Sequence, residues 1–143
     1  MENIMIGFAN VFQLSNLLVC IGGLFIGVLF GALPGFSATM AVAIFVPFTY
    51  VMEPGAALLL LSALYCGGVF GGSIPAVLVG IPGTPASAPT ALEGKALVRK
   101  GEAGRALNLV TLASCFGGFV SSVALLVCAP LLAKIAKMVG QPE

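Results

Sequence analysis

Long apolar stretches, interrupted by glycine and proline, set the layout of this 143-residue chain. Leu14 to Ala32 carries no charge and is long enough to cross a bilayer core, which takes about 20 helical residues. Gly23, Gly27, Gly31 and Gly35 recur four residues apart. On a helix that spacing forms one smooth ridge, which lets a second helix approach closely. The stretch Gly31-Ala-Leu-Pro-Gly-Phe-Ser-Ala-Thr39 then breaks the pattern. Pro34 has no amide hydrogen, and Gly35 admits backbone angles that other residues avoid. The pair should end one helix and free backbone groups that lipid cannot satisfy. The break is therefore expected to be buried in protein or to line a polar cavity.

Downstream, Ala38 to Met52 is apolar but only 15 residues long, which is short for a straight span. It predicts a re-entrant or tilted half-helix that Pro47 bends or ends. Glu53-Pro54-Gly55 reads as a turn at the membrane surface. Ala56 to Val79 is the next apolar stretch. Its second half, Gly67-Gly-Val-Phe-Gly-Gly-Ser-Ile-Pro75, predicts a thinned, distorted or unwound helix. Gly80 to Gly94 holds three prolines and three hydroxyl residues and predicts a structured loop, or one feeding a short helix. Ala106 to Ala133 spans again, with Gly117-Gly118 and Ser121-Ser122 as small packing positions. Leu131 to Val139, with Lys134 and Lys137 on one face, is compatible with an interfacial helix. Residues 1–12 form a mildly amphipathic lead-in, and Gly140-Gln-Pro-Glu143 reads as a turn at a truncation.

Composition settles the class. Apolar residues make up 59% and charged residues 8%, whereas a soluble domain carries about 25% charged residues. Mean hydropathy is +1.15. The expected fold is an all-α integral membrane protein, polytopic, with Pro-Gly-interrupted or re-entrant segments. Charge is confined: residues 93–105 hold six of the eleven charged side chains. The basic ones are Lys95, Arg99, Lys100 and Arg105, which places this segment on the cytoplasmic side. A net charge of +1 suggests no nucleic-acid partner. Histidine is absent, which removes His-based catalysis and the commonest metal ligand. The opening residues carry Glu2 and no Lys or Arg, so they are not a secretory signal. Cys20, Cys66, Cys115 and Cys128 lie apart in apolar sequence and read as small buried residues.

The first break has an echo. Leu33-Pro-Gly-Phe-Ser-Ala-Thr39 matches Ile81-Pro-Gly-Thr-Pro-Ala-Ser87, 48 residues later. Paired interruptions of this kind point to a transporter binding site. Helix N-termini at such breaks attract anions through free amide hydrogens and the helix dipole. The candidate substrate-binding residues are Pro34, Gly35, Ser37, Thr39, Ser73, Pro82, Gly83, Thr84, Ser87 and Thr90. Freed carbonyls near Gly35 and Gly83 are candidates for holding a sodium ion. No basic residue lies between positions 3 and 94, so dipoles and hydroxyls must do most of the holding. The competing reading is that these small polar residues only satisfy backbone at kinks.

Four stretches carry a family resemblance: Gly31-Ala-Leu-Pro-Gly-Phe with Pro47 downstream; Tyr65-Cys-Gly-Gly-Val-Phe-Gly-Gly-Ser-Ile74; Pro82-Gly-Thr-Pro85 through Thr90; and Arg99-Lys-Gly-Glu-Ala-Gly-Arg-Ala-Leu107. In this order and spacing they resemble the large membrane subunit of the tripartite tricarboxylate transporters, the TctA family. The resemblance runs from about Gly22 to Glu143. It implies secondary active uptake of a citrate-like tricarboxylate or a related dicarboxylate across the bacterial inner membrane by a multi-pass permease. It further implies a cation gradient (Na+ or H+), no cofactor, a small membrane subunit and a periplasmic solute-binding protein as partners. Residues 1–143 would then form a single membrane domain, the N-terminal part of a longer, internally duplicated permease. The chain departs from the family where Val79-Gly80 replaces an Asn, where Glu93-Gly94 replaces Asp-Gly, and where Cys66 and Phe70 replace Tyr. The alternative class is a structural or assembly membrane subunit whose Gly-rich faces only pack helices. An intramembrane enzyme finds little support, because the chain has no His, no Asp and no nucleophile–base spacing.

Overall fold

The structure, a computed structural model, describes Gly7 and residues 10–139. Six α-helices account for most of it: α1 (Leu14–Ala32), α2 (Ala38–Thr49), α3 (Pro54–Gly71), α4 (Ser73–Leu78), α5 (Ala88–Arg99) and α6 (Ala103–Val139). A single 3-10 turn, Pro85–Ser87, precedes α5. The expected all-α class holds among the described residues. Three stretches are long and apolar enough to cross a membrane: Leu14–Ala32, Pro54–Leu78 and Ala103–Ala129. Gly140–Glu143 and most of the lead-in lie outside the described residues. Residues 1–108 and 109–143 form two compact units, with the boundary inside α6.

Within the first unit, α1 lies against α3 along most of its length. Three of the four ridge glycines, Gly23, Gly27 and Gly31, are the buried residues of α1. Gly23 faces Leu60 and Ala63, Gly27 faces the Leu64 carbonyl and Gly68, and Gly31 faces the Gly68 carbonyl and Gly72. The contact is reciprocal: Gly67 meets the Leu24 carbonyl and Gly71 meets the Val28 carbonyl. Backbone touches backbone, a separation that only glycine allows. Gly35 does not extend the ridge. It has φ +98° and open space around it, so it is a turn residue.

Partner numbers on α3 rise with residue number on α1, so the two helices run parallel. The chain must therefore return between them, and α2 makes that return. Its first residue, Ala38, rests on Gly68, and the chain is back at the start of α3 by Glu53. Twelve residues give α2 a length of about 18 Å, short of the roughly 30 Å hydrocarbon core. The non-helical stretches at either end make up the difference. Pro47 sits inside the last turn of α2 without ending it at once. Glu53 is the N-cap residue of α3 and Pro54 its first residue, a position where the missing amide costs nothing.

The sequence expectation for the Gly67–Pro75 stretch, a thinned, distorted or unwound helix, holds for thinning and fails for unwinding, with an interruption at Gly72 alone. α3 stays helical to Gly71. Gly72 keeps right-handed helical angles (φ −63°, ψ −18°) and its amide still bonds to the Gly68 carbonyl at 3.0 Å. The glycine pairs serve close packing on both sides of α3 and do not unwind it. The cysteine expectation also fails. Cys66, Cys115 and Cys128 are exposed and Cys20 is half-buried, because outward-facing helix surfaces in this chain are themselves apolar. Finally, α6 runs through to Val139, so the Lys134–Lys137 segment continues that helix and is not a separate interfacial one.

Gly27→Ala or Gly67→Ala should separate α1 from α3, with a cost of about 1–3 kcal/mol expected for overpacking. Gly22, which has open space where its Cβ would stand, is the matched control. Thermal melting followed by size-exclusion chromatography is expected to show a lower midpoint for the first two variants and none for Gly22→Ala.

Candidate functional site

Both Pro-Gly breaks come to the C-terminal end of α3, one turn apart at Gly68 and Gly72. At the first, α1 ends at Ala32 with Leu33 extended. The Phe36 amide donates to the Leu33 carbonyl at 3.2 Å, closing a tight turn through Gly35. Ser37 then caps α2: its hydroxyl accepts from the Met40 amide at 3.2 Å and lies 2.8 Å from the Thr39 hydroxyl. This is standard N-cap chemistry, in which a side-chain oxygen satisfies an orphan amide.

At the second break, the chain leaves α4 through Gly80 at φ +78° and turns back. The amides of Val79, Gly80 and Ile81 all point at the Pro75 carbonyl, at 2.9, 3.0 and 3.4 Å. Gly83 then donates its amide to the Gly72 carbonyl at 3.1 Å. A Cβ on Gly83 would stand 2.8 Å from Gly72 Cα and 2.5 Å from the Gly31 carbonyl oxygen. A Cβ on Gly72 would in turn stand 2.9 Å from Thr84 Cγ2. The loop thus inserts between the C-terminal ends of α1 and α3.

Thr84 and Ser87 lock this loop with a capping box. The Thr84 amide donates to the Ser87 hydroxyl at 3.2 Å, and that hydroxyl donates to the Thr84 carbonyl at 2.8 Å. Both side chains are buried, Ser87 at 2% exposure and Thr84 at 6%. The N-terminus of α5 follows directly. Two helix N-termini therefore sit one turn apart along α3: α2 at Gly68, and the entry to α5 at Gly72. Gly72 lies six residues inside the Leu78 end of the Pro54–Leu78 stretch, about 9 Å along a helix. Non-helical backbone of the second break thus packs against the inner part of a stretch long and apolar enough to cross a membrane.

The ten sequence candidates separate by environment. Ser73, Thr84 and Ser87 are buried, Ser37, Gly83 and Thr90 are half-buried, and Pro34, Gly35, Thr39 and Pro82 are exposed. Gly83 and Thr84 meet at the junction. Gly35 has open space where a Cβ would stand, so no neighbouring element packs on that side. Sequence reasoning missed Gly31, Ala38, Gly68 and Gly72 as the residues that hold the breaks together. Gly31 already stands in the expected glycine ridge, whereas Gly68 and Gly72, small residues at helical spacing, read from sequence as a distortion of the helix. Two cavities lie away from the junction. One of about 310 Å³ is bordered by Asn10, Asn16, Gly55 and Ser62, and one of about 260 Å³ by Gly80, Lys95 and Arg99. Among the described residues no group of three metal-ligating side chains occurs.

Comparison with known proteins follows the same residues. The family model described as "Tripartite tricarboxylate transporter TctA family" matches residues 17–143. The chain belongs to the TctA family. A relative from Agrobacterium vitis, named as an uncharacterised 52.8 kDa protein in the TAR-I ttuC' 3' region, is 39% identical over 142 residues. That alignment covers 99% of this chain and 28% of the relative, so the chain spans well under a third of that protein's length. No solved structure matches the chain. The TctA match begins within α1 and includes both breaks, so the glycine junction lies wholly inside the family region.

Ser87→Ala removes a buried cap and Ser37→Ala a half-buried one. Losses of about 1 kcal/mol or more are expected at Ser87 and smaller ones at Ser37. Paired thermal melts of the two variants check this order.

Proposed function

We propose that this chain is part of the large membrane subunit of a tripartite transporter that takes up an organic carboxylate by secondary active transport. The substrate class is a citrate-like tricarboxylate or a related dicarboxylate. The convergence of the α2 N-terminus at Gly68 and of the Gly83–Thr84 loop leading into α5 at Gly72 carries the reading. Two positive helix ends at membrane depth can hold an anion without a basic side chain. Membership of the TctA family supports transport as the general role, and the same family supports a small membrane subunit and a periplasmic binding protein as partners. The membrane would be the bacterial inner membrane, crossed several times.

The exposed rim of the junction supplies the substrate contacts in this proposal. Pro34, Gly35, Thr39 and Pro82 are exposed and Ser37 is half-buried; inside a membrane, lipid would not satisfy free backbone there. Water, solute or further protein must therefore cover them. Within the hydrogen-bonded Ser37–Thr39 pair one hydroxyl proton is left to donate to a carboxylate, while Ser73, Thr84, Ser87 and Thr90 shape the floor beneath. Carbonyls near Gly35 and Gly83 would hold Na+ where sodium is the coupling ion; the driving force is a cation gradient, Na+ or H+, and no catalytic step is required. The rival reading, a packing subunit, draws on the capping roles of Ser37, Thr84 and Ser87.

The test reconstitutes the full-length permease with its small subunit and binding protein in liposomes. Labelled citrate and dicarboxylates are offered under an imposed sodium gradient, then under a proton gradient. Accumulation of a carboxylate is expected, with Ser37→Ala/Thr39→Val raising KM about tenfold or more, as the loss of hydrogen bonds to a charged ligand implies. Unchanged uptake in a well-expressed double variant would remove the junction from the site. No accumulation of any carboxylate under either gradient would remove the proposed function.

A further inference from the structure

We infer that the cleft between α5 and the turn after α4 binds the phosphate headgroup of an anionic phospholipid through Lys95 and Arg99. The cleft has a volume of about 260 Å³ and is lined by Gly80, Ala91, Leu92, Lys95, Ala96 and Arg99. That is the room of roughly eight waters, enough for a phosphodiester and part of its glycerol. Ala91, Lys95 and Arg99 follow one another at four-residue intervals, so both cations stand on one face of α5.

Neither cation is otherwise engaged. Among the described residues the one ion pair is Arg105 with Glu102, at 3.1 Å. Lys95 and Arg99 make no hydrogen bond or ion pair there. Glu93, two residues before Lys95, lies about 200° around the helix and faces elsewhere. The aliphatic stem of Lys95 crosses Gly80: a Cβ on Gly80 would stand 2.9 Å from Lys95 Cδ and 3.2 Å from its Nζ. Glycine at that position gives the ammonium its seat.

Depth identifies the ligand as a lipid. Gly94 packs on Val77, the penultimate residue of the Pro54–Leu78 stretch. Lys95 is beside Gly80, two residues beyond its end. α5 runs in the same direction as α4, so Arg99 stands one turn further from the membrane core. The cations therefore lie at headgroup level. Leu92, which lines the same cleft one turn before Lys95, is 81% exposed, and Ile81, next to Gly80, is 52% exposed; both offer apolar surface to acyl chains. A cationic rim above an apolar wall fits an anionic phospholipid of the cytoplasmic leaflet, the side to which the basic segment is assigned. A free phosphate would use only the rim.

Native mass spectrometry of the full-length permease complex, with phosphatidylglycerol, phosphatidylethanolamine or inorganic phosphate added, tests this. Phosphatidylglycerol should stay bound, and Lys95→Gln/Arg99→Gln should weaken it about tenfold or more, since each basic side chain contributes to anionic-lipid attraction. Lys95→Arg/Arg99→Lys should retain it, and Lys100→Gln, outside the cleft, should leave it unchanged. Equal phosphatidylglycerol occupancy in wild type and the double Gln variant would overturn the inference. So would an equal loss in Lys100→Gln, or retention of phosphate as strong as that of the lipid. The double Gln variant is judged only where its melting temperature matches wild type; where it does not, Arg99→Gln alone carries the same comparison.

Discussion

Backbone contact between two parallel helices is the constraint on which the rest of this structure depends. In lipid there is little hydrophobic gain from bringing helices together, so association relies on dispersion and close fit. Gly23, Gly27 and Gly31 on α1, against Gly67, Gly68 and Gly71 on α3, supply that fit. Because the two helices run in the same direction, the connecting α2 must cross back in the space left over. A short helix with non-helical ends is the result, and the first Pro-Gly break is its entrance. The same close approach leaves a gap at the ends of α1 and α3 narrow enough that only Gly83 can enter it. One packing rule thus places both breaks.

Much of this was readable from the residues. The bounds of α1, the shortness of α2 and the loop feeding α5 follow from apolar length and from proline and glycine positions. The ridge of Gly23, Gly27 and Gly31 is a helical period that needs no structure to see. What the sequence hid was pairing. Gly67, Gly68, Gly71 and Gly72 look like a weak helix because isolated glycines weaken helices in water. Their effect reverses when a second backbone fills the space, and a single sequence does not say which helix that is. Gly35 misled for the opposite reason: its spacing fits the ridge, but Pro34 has already ended the helix. The cysteines were misplaced because a membrane protein turns apolar residues outward as well as inward.

The candidate site was legible as a pair of breaks and not as a place. Ser37, Thr84 and Ser87 were named for their hydroxyls, and each turns out to satisfy backbone at a helix start. That fixes the orientation of two helix N-termini, which is the property an anion site without basic residues requires. In the proposed site, capping and binding are successive uses of one arrangement: capping hydroxyls hold the helix ends still, and exposed Thr39, Pro34 and Pro82 would form the rim. The inferred role of the basic segment is separate, at the membrane boundary, where Lys95 and Arg99 would meet headgroups.

The central claim is that the two breaks form one carboxylate site. Substrate protection measures this directly. In a cysteine-free full-length permease, single cysteines replace Thr39 at the first break and Pro82 at the second, and each is labelled with a small polar thiol reagent. A carboxylate that the complex transports should slow labelling at both positions at the same concentration, while a cysteine at the outward-facing Leu29 is unaffected. Protection at one break only, or at neither, would contradict a shared site.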